Sequence, residues 1–163
     1  VEEETMMSKK KTLSAGMVDI GKKDVTRRVA VASGTIRMGR EAFAAFVGKG
    51  SPKGDVLETA RVAGIMAAKS TPQIVPLCHP LQLNAASVNF KVDKTKQTVT
   101  ASAEISCAGR TGVEMEALTA VSAALLTIYD MMKWADKAMT ISDIKLLSKS
   151  GGKSGDFKRD HGR

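Results

Sequence analysis

The side chains best suited to chemistry fall in four separated stretches of this sequence. In Val75-Pro76-Leu77-Cys78-His79-Pro80-Leu81 a histidine stands between prolines. The prolines stiffen the backbone and would hold the imidazole at one angle, as an acid, a base or a phosphate donor requires. A histidine packed beside a turn satisfies the same pattern. A Cys78–His79 nucleophile pair is disfavoured, because neighbours in an extended segment point to opposite sides.

The second stretch is a long helix with carboxylates at both ends. Glu114 stands three residues after Thr111, the spacing of a capping box, so a structural and a functional role compete for it. Glu116 has no capping role. Asp130 and Lys133 are spaced i, i+3 and could form a plain surface pair, worth under about 1 kcal/mol. They follow the apolar run Leu125-Leu126-Thr127-Ile128-Tyr129, however. Partly buried there, a carboxylate and an amine would tune each other's pKa, as proton transfer needs. On one straight helix Glu116 and Asp130 lie roughly 21 Å apart. They cannot both serve a small reacting centre from a single helix, so either the substrate is long or the site combines two subunits.

The third stretch, Lys53-Gly54-Asp55, puts a lysine just before a helix start, where free N–H groups and the dipole favour phosphate. An exposed loop lysine is the plainer reading. The fourth, Lys149-Ser150-Gly151-Gly152-Lys153-Ser154-Gly155, is not a P-loop: Leu147 stands where the first glycine should be, and no helix follows. It is either a flexible tail or a loop whose N–H groups and lysines embrace a phosphate. Together the four describe a basic, proline- and glycine-braced site for a phosphorylated small molecule.

The elements that must position these residues can be read from periodicity. Arg28–Met38 alternates as a strand with Gly34 at a bulge, and Arg40–Val47 follows as a helix. Asp55 caps a helix running to Lys69, with Glu58 three residues on; Gly64, Ala67 and Ala68 give it a smooth side for close backbone approach. Val88, Phe90 and Val92 on one side, and Val99, Ala101, Ala103 and Ile105 on the other, mark a hairpin across Lys94–Gln97. A helix over Gly112–Trp134, capped by Thr111, and a strand over Thr140–Leu147 complete the order β-α-α-β-β-α-β. With the first two helices merged into one layer, this is the ferredoxin-like split arrangement: an α+β fold whose antiparallel sheet carries helices on one face. The other face is left to solvent or a partner subunit.

The chain has 163 residues, one domain's worth, with 43% hydrophobic residues but only 4% aromatic. Its core must therefore be aliphatic. Residues 1–15 are expected to form a flexible N-terminal extension, 16–157 the catalytic domain and 158–163 a basic tail. A net charge of +8 favours polyanions without choosing among nucleic acid, membrane and phosphorylated metabolites. Two cysteines, Cys78 and Cys107, do not make a disulfide scaffold, and neither C-x-x-C nor H-x-x-x-H spacing occurs, so no metal site is expected. No membrane span and no signal peptide is visible, and a cytoplasmic protein is expected.

These motifs, with Met17-Val18-Asp19-Ile20, Thr111-Gly112-Val113-Glu114-Met115-Glu116-Ala117-Leu118-Thr119 and Leu126-Thr127-Ile128-Tyr129-Asp130-Met131, run in order from about Gly16 to Phe157. Over that span the sequence resembles the cyclic pyranopterin monophosphate synthases, also called molybdenum cofactor biosynthesis protein C. The resemblance implies a ferredoxin-like fold and a homohexamer built as a trimer of dimers, with active sites between subunits. It implies a lyase that converts 3′,8-cyclo-7,8-dihydroguanosine triphosphate to cyclic pyranopterin monophosphate and releases pyrophosphate, without a cofactor. It implies Asp130, Lys133 and Lys53 as catalytic residues. Leu77, Cys78, His79, Met115, Glu116, Glu114, Arg28 and Lys149 match substrate-binding positions. The expected mechanism has cations neutralising the departing pyrophosphate and a lysine of lowered pKa shuttling protons. An RNA-binding module is the rival from another class, but it would need stacking aromatics on the sheet, and the hairpin offers only Phe90 on its apolar face. A non-catalytic ligand-binding domain is a second rival; it would not need Lys53, His79 and Asp130 together.

Overall fold

Alternating small apolar residues on three long segments dictate the sheet. In the computed structural model, which describes residues 15–160, β1 (Thr26–Arg37), β2 (Ala85–Asp93), β3 (Thr98–Gly109), β4 (Thr140–Ser150) and β5 (Phe157–Lys158) form one antiparallel sheet in the order β2-β3-β1-β4-β5. The first four strands carry the ferredoxin-like order. Its even-numbered β1 residues Ala30, Ala32 and Ile36 face the helices and are buried.

The helices are α1 (Arg40–Gly48), α2 (Val56–Lys69), the short α3 (Thr71–Ile74) and α4 (Glu114–Met132). Asp55 caps α2 as expected, its Oδ1 accepting the Glu58 N–H at 2.9 Å, a contact worth about 1 kcal/mol. Glu58 does not complete the box and pairs with Arg61 instead. The missing side chain at Gly64 lets α2 close on α4: a Cβ there would stand 2.9 Å from the Ala120 carbonyl oxygen. Leu125, Ile128 and Met132 of α4 are fully buried, each adding roughly 1.5–3 kcal/mol by leaving water. By length and composition α4 could cross a membrane, but half of its apolar stretch is buried inside the protein, as in a core helix.

Several local expectations change. The β3–β2 hairpin turns without glycine because Gln97 takes a φ of 54° and the Asp93 carboxylate accepts the N–H groups of Thr95 and Lys96. The bulge at Gly34 lies in β4, where Asp143 has a φ of 56°. The last long strand runs to Ser150, beyond the expected Leu147, since Ser148, Lys149 and Ser150 find partners on β1. The tail expected to be solvated from residue 158 is tied to the sheet edge: β5 pairs with Ser148 and Lys149, and Arg159 donates to the Leu147 carbonyl at 2.7 Å. The expected N-terminal extension lies outside the described residues except for Ala15, as does the end of the tail.

The sheet face turned away from the helices carries Val29, Val31, Ser33 and Thr35 of β1 beside Ser106, Glu104, Ser102 and Thr100 of β3. No aromatic residue stands among these central positions, while Phe90 sits on the helix side opposite Ala101. The stacking platform that the RNA-binding rival requires is missing there.

Candidate active site

Sheet register gathers one group of charges. Arg28 stands opposite Cys107, and Lys149 opposite Ala30, so both basic side chains rise on the helix side under the start of α4. There the Lys149 Nζ meets the Glu114 Oε1 at 3.0 Å, with both side chains about three-quarters buried. This overturns the capping box. Val113, not Thr111, precedes the first helical residue, and it makes no side-chain cap bond. Glu114 is thus the first residue of the helix rather than the third, and its carboxylate is turned to the lysine.

Arg28 is only 8% exposed. Its Nε donates to the Gly109 carbonyl at 3.2 Å and its Nη1 to the Gly151 carbonyl at 3.4 Å. No carboxylate among the described residues pairs with it. A nearly buried cation held only by carbonyl oxygens is costly, and its remaining N–H groups suit an anion.

The Cys78–His79 segment was expected to be extended, with the two side chains on opposite sides. Instead it closes a turn, the Cys78 N–H donating to the Val75 carbonyl at 3.1 Å. Leu77, Cys78 and His79 consequently line one cavity of about 620 Å³ with Met115 and Glu116. Burial, aided by the Glu116 charge, pushes the Cys78 thiol up, which keeps it protonated and argues against a thiolate nucleophile. Glu116 is 3% exposed, and burial pushes its carboxyl up, with Glu114 adding repulsion. A second cavity of about 200 Å³ shares Lys23, Thr111, Gly112 and Glu114 with the first and adds Arg28, Arg110 and Lys149. All eight expected substrate-binding residues therefore line these two adjoining spaces.

The three residues expected to be catalytic meet at the other end of α4. Lys53 Nζ meets Asp130 Oδ2 at 2.6 Å, and Lys133 Nζ meets Asp130 Oδ1 at 2.7 Å. The loop carrying Lys53 is anchored by Ser51, whose hydroxyl donates to the Met131 carbonyl at 2.7 Å and accepts the Lys53 N–H at 3.1 Å. Lys133 and then Lys53 hold the Asp130 carboxyl down at about 2. The reciprocal effect raises Lys133. Asp130 is half-buried and paired, as the apolar run before it suggested, and the carboxylate and the amine shift each other. One expectation fails: a carboxylate at hydrogen-bond distance pushes Lys133 up, not down, so it is held as an ammonium.

Within one protomer, then, the trio and the two cavities stay apart at opposite ends of α4. Sequence reasoning missed Ser51, Lys23 and Arg110. Ser51 could have been suspected from its place two residues before Lys53, but nothing separates Lys23 from the adjacent Lys22 before folding.

The MoaC family model matches residues 17–152. The chain belongs to the MoaC family. This MoaC-family chain is 57% identical over 144 residues to a protein of Desulforapulum autotrophicum, spanning 88% of each chain. It is 55% identical over 146 residues to one of Chloroflexus aggregans, covering 90% of this chain and 88% of the relative. It is 54% identical over 144 residues to one of Clostridium botulinum, covering 88% and 91%. Each relative is named cyclic pyranopterin monophosphate synthase. The resemblance read from the motifs thus holds over nearly the whole domain of this MoaC-family member.

Proposed function

We propose that the protein is a cyclic pyranopterin monophosphate synthase, a lyase of molybdenum cofactor biosynthesis. It takes 3′,8-cyclo-7,8-dihydroguanosine triphosphate, retains one phosphate as a cyclic ester and releases the outer two as pyrophosphate. The observation that carries this reading is Arg28: a nearly buried guanidinium, with no carboxylate partner among the described residues, facing a polar cavity beside Lys149. Such a group is compensated by a phosphate, and its planar fork suits one. The larger cavity, with Leu77, Cys78 and Met115 beside His79 and Glu116, supplies apolar walls and polar edges for a purine-derived ring.

In this reading Arg28 and Lys149 neutralise charge that grows on the departing pyrophosphate. Lys133, kept charged by Asp130, gives a proton rather than taking one, so it acts as the general acid. Lys53, reaching the other oxygen of the same carboxylate, completes the proton relay. Because the trio and the cavities lie at opposite ends of α4, a complete site joins one protomer's trio to its neighbour's cavities. The assembly is a homohexamer made of three dimers. Incubation with the cyclised nucleotide triphosphate, following pyrophosphate and the pterin product together, tests the activity. Binding without release of pyrophosphate would contradict it.

A further inference from the structure

We propose that Gly152 is a positioning residue for Arg28: the space left by its missing side chain is the space in which the Arg28 guanidinium lies. The proposal rests on the reading of Arg28 as a phosphate ligand and adds to it the residue that sets the ligand's place.

The Arg28 head is held along one edge by two backbone carbonyls, of Gly109 and Gly151. Of its five N–H donors, three are left for a ligand. Gly152 closes over the head from the loop after β4. A Cβ built on Gly152 would overlap the Arg28 Nη1, stand 2.7 Å from Cζ and 3.2 Å from Nη2. The planar guanidinium cannot bend out of the way; the whole side chain must swing, giving up a carbonyl contact as it goes. The obstacle is the end of a side chain and not backbone, so the fold can survive the substitution while the cation moves. At Gly151 the obstacle is different: a Cβ there would strike the Arg27 carbonyl, and the backbone itself would have to shift. Arg28 and Gly152 also line a further cavity of about 510 Å³ with Lys153 and Ser154, so a displaced head has somewhere to go.

The loop supplies its own control. Gly152 has a φ of 88° and Gly155 a φ of 74°, so alanine strains the backbone at either position. A Cβ on Gly155 meets nothing within 4 Å. Gly155→Ala therefore carries the strain without the collision.

The full-length enzyme is assayed with the cyclised triphosphate as wild type, Gly152→Ala, Gly155→Ala, Arg28→Ala and the doubles of Arg28→Ala with each glycine change. Gly152→Ala is expected to raise KM about tenfold, as for one charge-assisted hydrogen bond lost, and Gly155→Ala no more than about twofold. In the Arg28→Ala background the two glycine changes should have equal effects, since the group displaced is already gone. If Gly152→Ala matches Gly155→Ala in the wild-type background, or still raises KM more than Gly155→Ala does after Arg28 is removed, the proposal is overturned. An unchanged KM in Arg28→Ala would instead remove the phosphate role of Arg28, and the proposal with it. Thermal melting of each variant covers the remaining case. If Gly152→Ala fails to fold but regains its fold when combined with Arg28→Ala, the collision is confirmed through stability. If both fail while Gly155→Ala folds, Gly152 answers to some other neighbour and the proposal falls.

Discussion

Glu116 and Asp130 stand on one helix, α4, fourteen residues apart and about 21 Å from each other along its axis. Glu116 closes the floor of the larger cavity, whereas Asp130 holds two lysines at the far end.

This separation makes subunit complementation the natural test of a shared site. A trio variant, Lys53→Ala, and a cavity variant, His79→Ala, should each be nearly inactive alone. After unfolding together and reassembly, about a quarter of the sites should combine two intact halves, if pairing is random in an isologous dimer. The rate of the mixture against each parent measures this. No gain in activity would place the whole site within one protomer.

Replacing Asp130 by Asn should lower kcat by about 10²–10⁴, the usual worth of positioned acid–base groups. The pH profile carries the sharper expectation. Asp130, held down at about 2, stays ionised throughout the assay range, so it contributes no acid limb. Lys133, raised above the ordinary lysine value of 10.5, places the alkaline limb where it loses its proton. Asp130→Asn removes the partner, and that limb should move to lower pH. Titration of the Lys133 side chain by NMR would check the assignment.

Glu116 should show the opposite sign in stability. Its carboxyl is raised by burial, so the folded state holds the proton more tightly than the unfolded one. Stability is therefore lost as pH rises from the ordinary value of 4.5 through the folded one, and the loss persists above it. Glu116→Gln should raise Tm by about 2–4 °C at pH 7, for a relief of order 1 kcal/mol, and should change it little near pH 4. Activity should fall in the same variant. Melting curves at the two pH values check the sign: a fall in Tm at pH 7, or no gain there, would overturn it.

Gly34→Ala should destabilise the fold by about 1–3 kcal/mol through overpacking. A Cβ at Gly34 would come within 2.8–2.9 Å of Leu125, Val121 and Ile144. Urea titration reads the change, and an unchanged midpoint would mean that α4 can lift from β1 without cost.

Much of the fold was already written in periodicity. The hairpin, the capped start of α2 and the length of α4 all come from patterns within a dozen or so residues of each other. The i, i+3 spacing of Asp130 and Lys133 likewise sufficed to pair them, since a helix turns through neighbouring positions on one face. The capping box at Thr111 misled because the same carboxylate had a stronger partner, Lys149, thirty-five residues further on.

What tertiary structure alone decided is everything that depends on register and on long-range approach. Arg28 and Lys149 share a cavity with Glu114 because β1 pairs with β4 in one particular alignment; a shift of β4 by one residue would turn Lys149 to the opposite face, away from Arg28. Lys53 reaches Asp130 only because Ser51 pins its loop to the end of α4. The sequence determined which side chains could carry charge and which segments could be rigid. It could not determine which of those charges would be buried without a partner, because burial depends on what the rest of the chain brings alongside.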